Sequence, residues 1–221
     1  MTVTDTPLLN KSLADIATQV AGSTRVFRHY KLDFCCGGHL SLQDALNAKG
    51  LDAEPVLAEL ESLADVEPET DWAGSSRSEL IDHIYNRYHL THRQQLPELL
   101  KMARRVEAVH GNKPDCPVGL AEHLGHMSHE LEGHMQKEEQ ILFPMLRNGL
   151  VQQAAGPIHV MQNEHDDHGE ALQRLMDLTN DMTPPTGACN TWRALYAGLE
   201  ALRHDLMEHI HLENNVLFKV A

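Results

Sequence analysis

Apolar spacing divides the chain into short helical patterns followed by long ones. Roughly 10–20, 23–34, 41–49 and 54–64 carry the short patterns, and Ser41 with Asp44 suits a helix start. The stretch VEPETDWAGSS, 66–76, gathers proline, glycine, serine and acids and reads as a linker. Four long periodic segments follow. The first opens at Ser76, with Glu79 in capping-box spacing, and runs to His110, where Gly111-Asn112 stops it. Pro97 lies inside it and is expected to kink it. The second spans about 117–148 and stops at Gly149. The third opens at Gly156-Pro157, with proline at the first helical position, and ends before Thr183-Pro184-Pro185. The fourth starts near Asn190 and runs almost to the C-terminus. No strand-like alternation competes. The pattern predicts an all-α, up-down-up-down four-helix bundle over 78–221, joined through a linker at 66–77 to a small helical domain over 1–65.

One stripe within this pattern is anomalous. In ELEGHMQKEEQILFP, 130–144, and the next residue, Leu131, His134, Glu138, Ile141, Leu142 and Met145 fall at the spacing of a buried helical face. A lone histidine on such a face is usually a hydrogen-bonded core residue. A buried glutamate is rarer, because an unpaired carboxylate is strongly disfavoured there. The pattern then recurs. DLMEHIHLENNVLFK, 205–219, aligns with 130–144 without gaps and pairs His134 with His209 and Glu138 with Glu213. Both helices place His-x-x-x-Glu inside the apolar stripe, where i,i+4 neighbours share a face. Two copies on alternate helices argue for metal ligation by these four residues.

The first and third helices should complete such a site. The first is expected to bury Ile81, Tyr85, Tyr88, Leu96, Leu99 and Val106, with His89, His92 and His110 on or near that stripe. The third is expected to bury Ile158, Met161, Leu172, Leu175 and Met176, with His165 and His168 facing the same way. Periodicity does not choose within these sets. His83, His129, His204 and His211 point away from the stripes and read as solvated.

Composition narrows the function. A net charge of −14 argues against nucleic acid and anionic membrane as partners. No apolar run is long enough for a membrane span, no secretory signal is visible, and the chain reads as cytoplasmic. Four cysteines are too few for a disulfide scaffold. Sixteen histidines, most of them beyond residue 80, fit a metal protein. A zincin is excluded, since HELEGH is one residue longer than H-E-x-x-H. The ferritin-like Glu-x-x-His occurs by letter at Glu107/His110 and Glu208/His211, but His110 lies at a helix end and His211 points out. Mixed histidine and glutamate donors suit iron, and also manganese or zinc; two glutamates able to bridge favour two ions, and iron is preferred.

Taken together, these residues resemble the bacterial RIC proteins (repair of iron centres, the YtfE/ScdA/DnrN family), which join a small N-terminal domain to a hemerythrin-like bundle. The resemblance rests on Asp33-Phe34-Cys35-Cys36-Gly37-Gly38, Arg87-Tyr88-His89, His134-x-x-x-Glu138 with the following EQILFP, Glu164-His165-Asp166 and His209-x-x-x-Glu213-Asn214-Asn215, and covers nearly the whole chain. It implies a di-iron set of His89, His134, Glu138, His165, His209 and Glu213, with both glutamates bridging, and so favours His89 over His92 and His165 over His168. Glu130 and Glu164 lie near these ligands in sequence and are candidates for a supporting shell or polar channel.

Cys35-Cys36-Gly37-Gly38 follows a helical pattern and reads blandly as a helix end with glycine caps. The resemblance favours a functional thiol pair that accepts nitric oxide, binds iron or cycles redox state. Cys116 and Cys189 lie at helix starts and read as packing residues. The N-terminal domain is short enough to gain from docking or homodimerisation. The resemblance implies repair of iron–sulfur clusters damaged by nitrosative or oxidative stress, with damaged iron–sulfur proteins as partners and nitric oxide or oxygen as small ligand. Reduction of nitric oxide to nitrous oxide is the enzymatic alternative; a non-catalytic gas sensor or iron-binding protein is the third.

Overall fold

The structure, a computed structural model, describes residues 7–63, 66, 70 and 72–219. Part of the predicted linker, and the last residue of the 54–64 pattern, lie outside the described residues. No strand occurs among the described residues, and none of their helices is long and apolar enough to cross a membrane. The chain divides into two compact units, Met1–Leu80 with Met207–Ala221, and Ile81–Leu206.

The first unit contains a 3-10 turn (Pro7–Asn10) and helices α1 (Leu13–Gln19), α2 (Ser23–His29), α3 (Leu42–Lys49) and α4 (Ala53–Glu61). Each is too short to persist alone in water, so caps and packing hold it. Ser12, Ser41 and Asp52 accept backbone N–H bonds from Asp15, Asp44 and Glu54. Leu13, Ile16, Phe27, Phe34, Leu42, Leu46, Val56 and Leu60 are buried. The expected 23–34 helix stops at His29. Lys31 turns into the left-handed region (φ 55°), and the Leu32 N–H bonds back to the Phe27 carbonyl at 2.8 Å. Cys35 and Cys36 therefore sit in a loop rather than at a helix end.

Four helical runs cross the second unit. The first is α5 (Arg77–His83), a π-helical turn (Ile84–His89) and α6 (Leu90–His110). Ser76 and Glu79 form the predicted capping box at its start, with Glu79 accepting from the Ser76 N–H at 3.0 Å and Ser76 from the Glu79 N–H at 3.3 Å. The second is α7 (Leu120–Lys137), a π turn (Glu138–Leu142) and α8 (Phe143–Arg147). The third is α9 (Val151–Thr179). It opens six residues before Pro157, because no breaker separates Val151 from Ala155 once Gly149 (φ 71°) has ended the preceding run. The fourth, α10 (Asn190–Leu212), continues into a π turn (Glu213–Leu217). Side-chain links fix the antiparallel order. Glu107 reaches the Ala121 N–H at one level while Arg93 meets Glu132 at another, and His123 meets the Ala171 carbonyl where Lys137 meets Glu164 further along. His110 at the end of α6 meets Cys189 at the start of α10.

The π turns explain where simple periodicity fails. Each replaces the usual i→i+4 bond with one a residue longer: Leu90 to Tyr85, Phe143 to Glu138 and Phe218 to Glu213. One added residue rotates everything beyond it by roughly 100°. Ile141, placed on a buried stripe by the 3.6-residue count, is therefore 53% exposed; Tyr85, at the opening of its π turn, lies at the edge of its stripe and is 37% exposed. Leu142 faces the core as the count predicts, and Phe143 and Leu146 join it there in place of Ile141 and Met145.

Candidate metal centre

Within the second unit, helices α7 and α9 and the two π turns bring four of the expected ligands inside. His89, His134, Glu138 and His165 are at most 1% exposed. Glu138 directs one carboxylate oxygen, Oε2, at two imidazoles, 3.4 Å from His89 Nε2 and 3.4 Å from His134 Nε2. His165 Nε2 stands 3.1 Å from His134 Nε2. The donor atoms of His134, Glu138 and His165 all lie within 4.8 Å of one another, as do those of His89 and Glu138. Two ligands about 2.1 Å from one ion, at 90–110°, stand roughly 3.0–3.4 Å apart, and these spacings match. Converging acceptor atoms of this kind, nitrogen and carboxylate oxygen together, suit a first-row cation.

The remaining nitrogens on two of these imidazoles are backed by carboxylates. His134 Nδ1 lies 2.9 Å from Glu164 Oε2, and Glu164 is closed by Lys137. His89 Nδ1 lies 2.8 Å from Glu139 Oε1, which also accepts from Arg93 at 2.8 Å. Arg93 is anchored in turn by both oxygens of Glu132. Glu132 and Glu139 hold the guanidinium protonated, and Arg93 holds the Glu132 carboxyl below its ordinary range. A carboxylate behind the imidazole fixes the tautomer that leaves Nε2 as an acceptor, which is the form a metal needs. Glu164 was a sequence candidate. Glu139 was not; its only signal is adjacency to Glu138, which helical counting places on another face and the π turn makes usable. Glu130 is exposed and lines an outer cleft of about 560 Å³ with Glu132, Lys137, Glu164 and His168.

His92 and His168, left open by periodicity, are also buried. His92 packs its ring beside Tyr88, and His168 sits edge-on to His134 at 5.1 Å between centroids. Cys116 is buried, with its thiol pKa raised by that burial and by Glu107. Cys189 lies 3.3 Å from His110 Nε2.

The first unit holds the second His-x-x-x-Glu. His209 Nε2 is 3.2 Å from Glu213 Oε1, and both side chains are at most 1% exposed. Glu213 opens its π turn as Glu138 opens the other, so the sequence echo extends to backbone geometry. His211, expected in solvent, is buried with its ring edge-on to Phe34, because the N-terminal loop covers that face. Burial pushes its pKa down to about 4.

The same unit carries the cysteine loop. Asp33 Oδ1 accepts from the N–H groups of Cys35 (3.2 Å) and Cys36 (3.0 Å) and from the Cys35 thiol (3.2 Å), while Oδ2 accepts from the Gly37 N–H at 2.9 Å. The sulfurs lie 3.8 Å apart and are not bonded. Cys36 beside it, then burial and Asp33, raise the Cys35 thiol well above its usual range. The loop closes tightly: a Cβ on Gly38 would stand 2.6 Å from the Phe34 carbonyl oxygen. Asn214 and Asn215 donate to the Cys35 and Phe34 carbonyls.

A helical bundle lined by such donors defines a class, and comparison agrees: the Hemerythrin HHE cation binding domain matches residues 80–221, and a domain of unknown function, ScdA_N, matches residues 9–64. The chain is 50% identical over 209 residues, 95% of each chain, to the iron-sulfur cluster repair protein YtfE of Citrobacter koseri. It is 52% identical over 211 residues, again 95% of each, to proteins of the same name from Yersinia pseudotuberculosis and Yersinia pestis. The chain belongs to the YtfE family of iron-sulfur cluster repair proteins.

Proposed function

We propose that this chain is a cytoplasmic di-iron protein that restores iron–sulfur clusters damaged by nitrosative or oxidative stress. The reading is carried by one observation: a single Glu138 oxygen faces two buried imidazole nitrogens, each at 3.4 Å. A carboxylate so placed suits a bridge between two ions. The ligand set in this reading is His89, His134, Glu138, His165, His209 and Glu213, with iron as the metal. A ferrous pair supplies electrons, a binding place for nitric oxide and exchangeable iron. The protein's own contribution is to hold the imidazoles in the acceptor tautomer through Glu139 and Glu164 and to exclude bulk water by burial. The outer cleft, with its acidic Glu130, Glu132, Glu164 and Asp167, attracts cations toward His134. Cys35 and Cys36 serve as a thiol relay toward damaged iron–sulfur proteins. The deciding experiment adds reduced, iron-loaded protein to a nitric-oxide-treated iron–sulfur enzyme and follows recovery of its activity. Wild type restores it and His134→Ala does not; equal failure of both overturns the reading.

A further inference from the structure

The donor atoms of Asp33, Cys35 and Cys36 lie within 4.8 Å of one another, outside the histidine-rich centre. Two thiolates bound to one tetrahedral ion, with metal–sulfur bonds of about 2.3 Å, have sulfurs about 3.8 Å apart. The Cys35 and Cys36 sulfurs already stand at 3.8 Å. Asp33 Oδ1 is held 3.2 Å from the Cys35 sulfur. That is near the roughly 3.1–3.6 Å separating an oxygen and a sulfur on one ion. Three backbone N–H groups orient the Asp33 carboxylate, so it is set in place before any ion arrives. Gly38 closes the loop where a Cβ would strike backbone, and the two asparagines pin its carbonyls. The arrangement is rigid, and it reaches the surface through half-buried Cys36 and exposed Asp33.

We infer that Asp33, Cys35 and Cys36 form a separate mononuclear site for a divalent first-row ion, with a fourth position open to water or to a ligand from a partner. Binding breaks two S–H bonds and forms two sulfur–metal bonds. Both protons leave to water and no electrons change hands. Thiolate donors make the site softer than the histidine-rich centre, and it prefers zinc or ferrous iron to magnesium or calcium. Its use as a holding place for iron in transit rests on the repair reading above. The existence of the site does not.

The test titrates metal-free full-length protein with cobalt(II) under anaerobic, reducing conditions. Wild type develops the near-ultraviolet thiolate-to-cobalt charge-transfer band, and Cys35→Ser/Cys36→Ser binds about one ion per chain fewer and lacks the band. Cys189→Ser and His209→Ala keep it, which separates this site from the other thiols and from the histidine-rich centre. Absence of the band in wild type, its persistence in the double serine variant, or its loss in His209→Ala overturns the proposal. Failure of the cluster-repair assay with an intact band overturns only the repair reading.

Discussion

Asn214 donates from Nδ2 to the backbone carbonyl of Cys35 at 3.2 Å, so the residue that follows Glu213 in sequence holds the loop that carries the thiols. Asn215 repeats the contact one residue along, to the Phe34 carbonyl at 3.1 Å. Glu213 and the thiol pair, 178 residues apart in the chain by the difference between 213 and 35, are thereby tied through neighbouring backbone. Asn214→Ala removes the bond to the Cys35 carbonyl, and Asn215→Ala removes those to the Phe34 carbonyl and His211 Nδ1, at about 1 kcal/mol for each bond. Asn214→Ala and Asn215→Ala are expected to lower the thermal midpoint by a few degrees and to speed alkylation of Cys35. Unchanged alkylation in the double variant would show that the loop holds itself.

Glu138→Leu tests the buried carboxylate directly. Leucine fits an apolar stripe and suits a helix, so the fold and its far-ultraviolet circular dichroism should persist. Iron per chain, measured after anaerobic reconstitution and desalting, should fall sharply. Full stoichiometry in this variant would remove Glu138 from the ligand set.

In the proposed ligand set, Glu139 and Glu164 would act on the metal only through the histidines they face. Replacing either with alanine leaves every proposed ligand in place, and loss of such a supporting carboxylate typically weakens metal affinity by about 10–100-fold. Competition against a chelator of known strength should register that loss for each variant. Because Arg93 keeps its pairing with Glu132, Glu139→Ala should lower the thermal midpoint of the metal-free protein by only a few degrees, the half-buried bonds it loses contributing about 1–2 kcal/mol.

Two glycines should respond in opposite directions. Gly38→Ala drives a methyl group against the Phe34 carbonyl oxygen and, at 3.0 Å, the Ala14 side chain. Overpacking of this kind costs roughly 1–3 kcal/mol. Gly125 lies inside α7 with nothing within 4 Å of a Cβ position. Gly125→Ala should therefore stabilise by roughly 0.5–1 kcal/mol through helix propensity. Denaturant midpoints read both, and a stable Gly38→Ala protein would mean that the loop can widen at no cost.

Much of this molecule is written locally. Helix starts at Ser41 and Ser76 and the stop at Gly149 follow from capping chemistry that acts over three or four residues. So does the likeness of 130–144 to 205–219, since His and Glu four apart must share a helical face whatever surrounds them. Sequence by itself thus determined an all-α chain and four of the candidate ligands, and its resemblance to a known family supplied the other two. Tertiary structure decided the rest. The π turns at Ile84–His89 and Glu138–Leu142 shift the helical phase, which exposes Ile141 and makes Glu139 a partner for His89. His211 is buried because Phe34, far away in the chain, lies over it. The thiols sit in a loop, not on a helix, because Asp33 folds back onto their N–H groups. Periodicity counts residues along one helix at a constant angle. It carries no information about an inserted residue in that helix or about a neighbour brought from elsewhere, and those two effects account for the exposure of Ile141, the pairing of Glu139 with His89 and the burial of His211.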